Sequence, residues 1–216
     1  MHKKIDAQLD VDILQVNRDI SDENQKRFED AKIKAFDFMG AIGSGKTLLI
    51  EGLLERLKAK GVSCGVIAGD VAGEDDYKRF KSHGVPVINI TTGKECHLDA
   101  HMIEHHLDEM ELDKLDVLFI ENVGNLVCPS DFPLGTQKRV VVISVTEGDD
   151  MVRKHPVIFG HADVIVINKI DISEAVEVDI DIILKDAKMI CPHTPLVQTD
   201  AKHGVGFDEL MQALGL

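Results

Sequence analysis

The sequence predicts an α/β protein of three layers, in which helices cover both faces of a mainly parallel sheet. Short apolar runs rich in Val and Ile recur along the chain, and charged segments long enough to form helices separate them. Such runs are typical of parallel strands that are buried on both faces. One run leads directly into a glycine-rich loop at residues 40–47, and an amphipathic segment follows that loop. Strand, loop and helix in that order are the repeating unit of a parallel sheet.

The N-terminal 32 residues differ in character from the rest of the chain. They are rich in charge, and their apolar positions recur every three or four residues, which is the spacing of one helix face. These positions are Ile5, Leu9, Ile13, Val16 and Ile20. We therefore expect an amphipathic helical extension over residues 1–32, followed by one domain over residues 33–216.

Seven strands are expected in that domain. Their predicted ranges are residues 35–39, 65–68, 85–90, 117–120, 140–145, 164–167 and 196–197. The first helix of the domain is expected over residues 48–60, where Gly61 ends it, because glycine readily adopts the left-handed conformation that closes a helix. The sequence contains no internal repeat and no low-complexity linker.

Composition limits the classes of function. The chain has 216 residues, of which 44% are hydrophobic and 29% charged, so it can bury a core without disulfides or metal staples. Its net charge of −14 argues against a general nucleic-acid binder. No apolar run reaches the ~18 residues of a membrane span, and the first residues do not resemble a signal peptide. Four widely spaced cysteines do not suit a secreted scaffold. We expect a cytoplasmic protein without membrane insertion.

The glycine-rich loop carries the strongest motif. Residues 40–47 read GAIGSGKT, a full match to the phosphate-binding pattern G-x-x-x-x-G-K-[ST]. Glycines let the backbone approach a phosphate closely, so that N–H groups and a helix N-terminus face the anion. Lys46 is expected to reach the β- and γ-phosphates, and the Thr47 hydroxyl to bind Mg²⁺. A glycine-rich turn without a ligand is the alternative.

A second motif indicates which nucleotide binds. Residues 168–171 read NKID and follow an apolar strand. The Asp171 carboxylate can accept both N–H groups of guanine in a fork, whereas adenine presents an acceptor at the same place. A surface turn is the alternative. Residues 199–202, TDAK, resemble the loop that places a backbone N–H near guanine O6. The residues expected to bind the nucleotide are Gly40, Gly43, Ser44, Gly45, Lys46, Thr47, Asn168, Lys169, Asp171, Ala201 and Lys202.

Residues 121–124, ENVG, follow another strand and resemble the D-x-x-G motif of GTPases with Glu in place of Asp. Glu121 is expected to hold Mg²⁺ directly or through water, and the Gly124 N–H to sense the γ-phosphate. Asp70 is a second candidate for the magnesium shell. The residues expected to act at the phosphates are Lys46, Asp70, Asp75, Glu121 and Gly124.

The acidic pair Asp75 and Asp76, together with Arg79, is expected to form a mobile switch. A solvated helix start is the alternative, because acidic residues favour the first turn of a helix. No glutamine is placed like the water-orienting residue of Ras. GTP hydrolysis is therefore expected to be slow.

Two cysteines and a histidine form a candidate metal site. Cys96 and His97 follow a Thr-Gly turn, and Cys128 lies four residues beyond Gly124. Two thiolates and an imidazole suit Zn²⁺ or Ni²⁺. Without a C-x-x-C pair the spacing alone does not identify a site, and unrelated surface residues are the alternative. Three ligands from one chain would leave a position open or would belong to a site shared across a dimer.

His101 and His105 continue the spacing of four residues from His97. On a helix these residues share one face, where two histidines one turn apart can chelate a metal. The stretch from residue 95 to 116 holds eight acidic residues and one lysine, which attracts cations. A solvated acidic helix is the alternative. The full set expected to bind metal is Cys96, His97, Cys128, His101 and His105, with Thr47, Asp70 and Glu121 for Mg²⁺.

Taken together, these motifs resemble a known family. The GAIGSGKT loop, residues 69–79, the Cys96-His97 pair, the ENVGNLVCP run at 121–129 and NKID are similar to the hydrogenase nickel-incorporation GTPases, the HypB family. The resemblance covers about residues 33–216, and ENVGNLVCP is its specific part. It implies a P-loop GTPase of the branch that dimerises on nucleotide, which delivers nickel to the precursor of [NiFe]-hydrogenase.

The resemblance also implies ligands and partners. The ligands are GTP, Mg²⁺, Ni²⁺ and Zn²⁺, with nickel or zinc on Cys96, His97 and Cys128 at the interface of a nucleotide-dependent homodimer. The partners are a small zinc-binding maturation protein and the hydrogenase large-subunit precursor. The C-x-x-C-G-C nickel site and the histidine-rich segment of some members do not occur in this sequence, so only the site in the GTPase domain is expected. The alternatives are a small-molecule kinase or other nucleotide-dependent transferase on the same fold, and a metal sensor or storage protein.

Overall fold

A single parallel sheet organises the computed structural model, which describes the backbone of residues 2–216 and the side chains of residues 12–216. Within those residues the sheet has seven strands, all paired in parallel, in the order β3-β2-β4-β1-β5-β6-β7. The strands are β1 Lys34–Gly40, β2 Cys64–Asp70, β3 Val87–Thr91, β4 Val117–Glu121, β5 Lys138–Ser144, β6 Val164–Asn168 and β7 Leu196–Thr199. The predicted α/β class with a mainly parallel sheet is confirmed.

Eight α-helices surround the sheet in the described residues. They are α1 His2–Asp30, α2 Lys46–Ala59, α3 Asp75–Ser82, α4 Ala100–Leu107, α5 Met151–Lys154, α6 Pro156–Gly160, α7 Ile180–Ile190 and α8 Phe207–Leu214. The apolar residues of α2, α3 and α8 pack on one face of the sheet, and those of α1, α4 and α5–α7 pack on the other. None of these helices is long and apolar enough to cross a membrane.

The strand residues alternate between the two helical layers. Phe36 and Phe38 of β1 point into the α2 side, while Ala35 and Met39 point into the other side. Because successive side chains of a strand point to opposite faces, a strand that is apolar at almost every position must be covered on both. This alternation accounts for the three layers.

The packing of α1 differs from the amphipathic pattern in its sequence. Ile5 and Leu9 lie outside the described side chains, and Ile13 and Val16 are 50% and 57% exposed. The buried face instead carries Asn17 and Asn24, whose amides bond the backbone of Ala100, Pro133 and Leu134. Two positions of the apolar stripe are thus exposed, and the buried amides of α1 satisfy backbone groups of the domain that an apolar face would leave unpaired.

The helix expected to carry three histidines on one face begins later than their spacing indicates. Asp99 accepts a hydrogen bond from the Met102 N–H at 2.7 Å and so caps the N-terminus of α4. His97 precedes that cap and lies outside the helix. The expected shared face of His97, His101 and His105 is therefore wrong, and only the last two residues belong to α4.

Candidate nucleotide and metal sites

The phosphate-binding loop joins β1 to α2 at the carboxyl end of the sheet. A side chain at Gly40 would collide with the backbone oxygen of Val142, and one at Gly45 would collide with the amide of Asn168. Gly45 also has a φ of 101°, a left-handed conformation that favours glycine. The glycines at these two positions therefore let the backbone pass between β5 and the loop after β6.

Lys46 and Glu121 lie buried at the start of α2 and the end of β4. The Lys46 ammonium donates to the backbone oxygens of Gly40 and Ala41 at 3.1 and 3.2 Å. The Thr47 hydroxyl donates to Glu121 Oε1 at 2.9 Å. Burial raises the pKa of Glu121 to about 7, and burial also lowers the pKa of Lys46.

These residues fit a magnesium ion. Glu121 Oε2 is buried without a hydrogen-bond partner and lies on the carboxylate that accepts from Thr47. A buried carboxylate oxygen without a partner is costly unless a cation or donor fills the position. Carboxylate and hydroxyl oxygens are the ligands that Mg²⁺ takes beside a nucleotide phosphate. The donor set at the end of β4 therefore suits a Mg²⁺ ion.

These residues line a cavity of 320 Å³. The side chains around it come from the phosphate loop, the start of α2, the ends of β2 and β4, and α3. The lining residues are Ile42, Gly43, Gly45, Lys46, Thr47, Leu48, Gly69, Asp70, Asp76, Arg79, Glu121, Asn122 and Gly124. A larger cavity of 550 Å³ lies at the amino ends of β2 and β3, away from the phosphate loop and from the candidate metal ligands.

The acidic residues predicted to lie near the phosphates differ in whether they line this cavity. Asp70 lines it, and its Oδ1 accepts the Val71 N–H at 2.6 Å. Asp75 is exposed in the first turn of α3 and does not line the cavity, whereas Asp76 does. The difference follows from helix geometry, because neighbouring residues point about 100° apart and only one of them faces the sheet. Gly124 also lines the cavity, where a side chain would collide with Ile42.

Asn168 joins three segments beside the phosphate loop. Its Nδ2 donates to the Ser44 oxygen at 2.9 Å, and its Oδ1 accepts from the Thr199 hydroxyl at 3.0 Å and the Ala201 N–H at 3.1 Å. The Lys169 ammonium donates to the Gly43 oxygen at 2.7 Å. The structure thus brings the loop after β6, the loop after β7 and the phosphate loop together.

Asp171 lies exposed beside these loops, as does Lys202. His203, which the sequence analysis did not single out, contacts Asp200 Oδ2 at 2.5 Å and lies 3.9 Å from Asp171 Oδ2. The sequence contains a local signal for this contact, because Asp200 and His203 are three residues apart in the segment after β7. The Asp171, Asp200 and His203 ligand atoms all lie within 4.8 Å of one another.

Cys96, His97 and Cys128 converge although 32 residues separate the two cysteines. The two sulfurs are 2.9 Å apart, and His97 Nδ1 is 3.9 Å from Cys96 Sγ. The Cys128 thiol raises the pKa of Cys96 through their hydrogen bond, and burial lowers the pKa of His97, whose ring packs 4.0 Å from that of Phe132. Two sulfurs and one imidazole nitrogen form a soft, three-ligand set with room for a fourth.

The structure does not bring the other two predicted histidines to this set. His101 and His105 are exposed on α4, His101 lies 3.3 Å from Glu104, and the His105 ring packs 5.4 Å from that of His106. Neither belongs to a group of three potential metal ligands among the described side chains.

Two asparagines of the segment after β4 connect the cavity to the cysteines. Asn122 lines the cavity, and its Oδ1 accepts the Leu98 N–H at 3.0 Å, next to His97. Asn125 donates from its backbone to the Gly40 oxygen at 3.0 Å and from its side chain to the Cys96 oxygen at 3.2 Å. Both asparagines lie in the ENVGNLVCP run, but no pattern in the sequence shows which backbone groups they bond.

Comparison with known proteins agrees with this geometry. The family described as CobW/HypB/UreG, nucleotide-binding domain, matches residues 35–198. The probable hydrogenase maturation factor HypB of Methanocaldococcus jannaschii is 54% identical over 202 residues, 93% of this chain and 90% of that protein. The crystal structure of hydrogenase maturation factor HypB from Archaeoglobus fulgidus has a TM-score of 0.87 and 48% identity, covering 93% of this chain and 98% of that chain.

A second solved structure is that of HypB from Helicobacter pylori in complex with nickel. It has a TM-score of 0.85 and 36% identity, and the match covers 92% of this chain and 93% of that one. The parallel sheet and phosphate loop thus define a nucleotide-binding domain of the P-loop class. The chain belongs to the HypB family of hydrogenase maturation factors. The resemblance found in its motifs is confirmed.

Proposed function

We propose that this chain is a GTP-hydrolysing metallochaperone that binds nickel, and zinc at the same ligands, and delivers nickel during maturation of [NiFe]-hydrogenase. The observation that carries the proposal is the continuity of one short segment. Glu121 at its start lines the nucleotide cavity, and Cys128 near its end lies 2.9 Å from Cys96. A nucleotide and a metal would therefore act on opposite ends of the same eight residues.

The phosphate loop would hold the triphosphate. Lys46 would exchange its backbone partners for the β- and γ-phosphates, and the N–H groups of the loop would face the same anions. Thr47, Glu121 and Asp70 would hold Mg²⁺, which when bound neutralises charge on the phosphate oxygens. The Gly124 N–H would report the presence of the γ-phosphate to the residues that follow it.

The base would bind at the loops that Asn168 holds together. Asp171 would accept the two guanine N–H groups, Lys169 would lie over the base plane, and Ala201 and Lys202 would border guanine O6. Selectivity for guanine follows because adenine would leave the Asp171 carboxylate unpaired.

Nickel would be the cargo of the Cys96, His97 and Cys128 site. Support comes from the soft donor set and from the relative of Helicobacter pylori that is described in complex with nickel. Three ligands with an open position suit a site that must release its metal, or one completed by a second copy of the chain. The recipient would be the hydrogenase large-subunit precursor in the cytoplasm, and a small zinc-binding maturation protein would be the partner in delivery.

The nucleotide would act as a switch. Gain of the γ-phosphate commonly orders a loop that hydrolysis releases again. Here the ordered loop would be residues 121–128, and its ordering would bring two protomers together over the metal ligands. Hydrolysis would open the site and release the metal.

A comparison of GTP with ATP tests the enzymatic part. We expect inorganic phosphate from GTP at a slow rate and little or none from ATP, with no phosphorylated small molecule formed. Equal hydrolysis of both nucleotides would contradict the guanine site. Transfer of the γ-phosphate to an added acceptor would instead favour the alternative of a small-molecule kinase on the same fold.

A further inference from the structure

Arg79 lines the nucleotide cavity, but it forms a salt bridge with Glu51, which lies outside the cavity lining. Its Nε and Nη2 donate to the two carboxylate oxygens of Glu51 at 3.1 and 2.5 Å. Its third nitrogen, Nη1, lies 3.8 Å from Asp76. The Arg79 side chain is 46% exposed and that of Glu51 only 13% exposed, so the carboxylate is the fixed partner of the pair.

The position of Glu51 sets the distance that Arg79 must travel. Glu51 follows Thr47 by four residues on α2, about 6 Å along the helix axis at 1.5 Å per residue. Thr47 lies beside the phosphate loop, and the arginine side chain is long and has several rotatable bonds. Because Arg79 and the phosphate loop line the same cavity, a change of its side-chain rotamer would turn the guanidinium from Glu51 towards the phosphates.

The side chains that line the cavity carry more negative than positive charges. Among the described residues that line it, Lys46 and Arg79 are the cations, against three carboxylates from Asp70, Asp76 and Glu121. None of these lining residues is a glutamine that would orient water. The charge that develops on the γ-phosphoryl group during hydrolysis would therefore have only Lys46 and Arg79 as side-chain cations to stabilise it.

We propose that Arg79 is a catalytic residue that contacts the γ-phosphate in the hydrolysis step, and that Glu51 holds it in a resting position. The inference rests on the proposed GTPase function. In that step a water oxygen forms a bond to the γ-phosphorus and the bond to the β–γ bridging oxygen breaks. The electron pair stays on GDP, and the water proton passes to phosphate or solvent. The guanidinium donates to the oxygens on which negative charge develops.

Glu51 would act as a positioning residue. While its carboxylate holds two guanidinium nitrogens, the third nitrogen of Arg79 lies beside Asp76, so the guanidinium faces carboxylates rather than the phosphate. His83 lies on the other side of the same carboxylate, with Nε2 3.5 Å from Glu51 Oε1, so Glu51 keeps a polar partner after Arg79 leaves. This exchange provides one physical reason for slow basal hydrolysis.

Single-turnover hydrolysis of prebound GTP by the full chain tests the assignment. Arg79→Ala should slow the step by about tenfold or more, the direction expected for loss of a catalytic arginine. Affinity for GDP should change by less than about threefold, since GDP lacks the γ-phosphate. Arg79→Lys should restore little of the rate, because a single ammonium lacks the planar fork. Lys81→Ala, an exposed cation on the same helix, is the matched control.

Glu51 supplies a readout that a purely structural role would not produce. Glu51→Gln should accelerate hydrolysis, and the acceleration should vanish in the Glu51→Gln/Arg79→Ala double variant. Wild-type speed in Arg79→Ala would overturn the catalytic role of Arg79. Acceleration that persists without Arg79 would overturn the positioning role of Glu51. Failure of the wild type itself to hydrolyse GTP would reject the proposed function as well, which separates the two results.

Discussion

Asn125 holds the backbone of Cys96 directly: its side-chain amide donates to the Cys96 oxygen at 3.2 Å. The same residue donates its backbone N–H to the oxygen of Gly40, the residue that ends β1 and begins the phosphate loop. One asparagine therefore bonds both the phosphate loop and the chain that carries a candidate metal ligand. A displacement of the phosphate loop would reach Cys96 through two hydrogen bonds.

Asn125→Ala should reduce the effect of nucleotide on metal affinity. Loss of one hydrogen bond of about 1 kcal/mol corresponds to roughly fivefold in an equilibrium constant, so the ratio of nickel affinities in two nucleotide states should fall by about that factor. GTP affinity should stay near wild type, because the backbone bond to Gly40 remains. Gln25→Ala, an exposed amide on α1, is the control. An unchanged ratio would show that Asn125 does not carry the coupling.

Asp171→Asn should change the base that the protein prefers. An amide in place of the carboxylate can donate to the 2-oxo group of xanthine but cannot accept both N–H groups of guanine. We expect weaker GTP binding and stronger binding of xanthosine triphosphate, measured by competition with a fluorescent nucleotide. Glu174→Gln, which removes a carboxylate three residues away, should leave the preference unchanged. Unaltered preference in Asp171→Asn would place the base elsewhere.

Glu121 should make the metal-free, nucleotide-free protein less stable as pH rises. Its folded-state pKa of about 7 lies above the ordinary value of 4.5, because burial penalises the charged form. Between about pH 4.5 and 7 the unfolded chain releases this proton and the folded chain keeps it, so the free energy of unfolding falls through that window. The difference between these two pKa values corresponds to roughly 3 kcal/mol in the free energy of unfolding.

Denaturant unfolding of Glu121→Gln with a chelator present checks this sign. The variant should gain stability over the wild type at pH 8 and show little difference near pH 4. The control variant Glu23→Gln, which changes an exposed carboxylate, should show the same dependence of stability on pH as the wild type. Parallel profiles for wild type and Glu121→Gln would mean that the carboxylate is solvated or paired in the folded protein.

His101 and His105 remain candidates for an auxiliary metal site. Since both are on α4 one turn apart, the His101→Ala/His105→Ala variant should lose a weakly bound metal equivalent while GTP hydrolysis stays near wild type. Equilibrium dialysis against nickel gives the stoichiometry, and His161→Ala/His193→Ala removes two exposed histidines elsewhere. Equal stoichiometry in all three proteins would make α4 a solvated acidic helix.

The sheet was predictable because its information is local. Most strands are short apolar runs, and those of β5 and β6 are unbroken stretches of buried Val and Ile that can be recognised without reference to distant residues. The glycine-rich loop likewise lies within eight consecutive residues. The prediction was less accurate for the start of β3. The strand begins at Val87, two residues later than expected, because Pro86 has no N–H to pair with β2.

The contacts that sequence reasoning missed join segments far apart in the chain. Asn24 on α1 bonds the oxygens of Ala100 and Leu134, 76 and 110 residues away, so an apparently polar helix face is a buried one. The hydrogen bonds of Asn122 and Asn125 also join segments that are far apart in the chain. The orientation of Asp76 depends on the phase of α3. The sequence places two acidic residues at the start of this helix, but only the structure shows which of them faces the cavity.

The affinity for nickel in two nucleotide states shows whether the nucleotide switches the metal site. It should be measured by competition with a metallochromic chelator, for the wild type and for Cys128→Ser, with GDP and with a non-hydrolysable GTP analogue. Cys191→Ser, at a buried cysteine that follows the last residue of α7 and lies away from both sites, is the control. We expect tighter nickel binding with the GTP analogue and loss of that difference in Cys128→Ser. Nickel should in turn tighten binding of the analogue by the same factor, as linkage requires. Equal nickel affinities of the wild type in both nucleotide states would contradict the switch, even if Cys128 binds the metal.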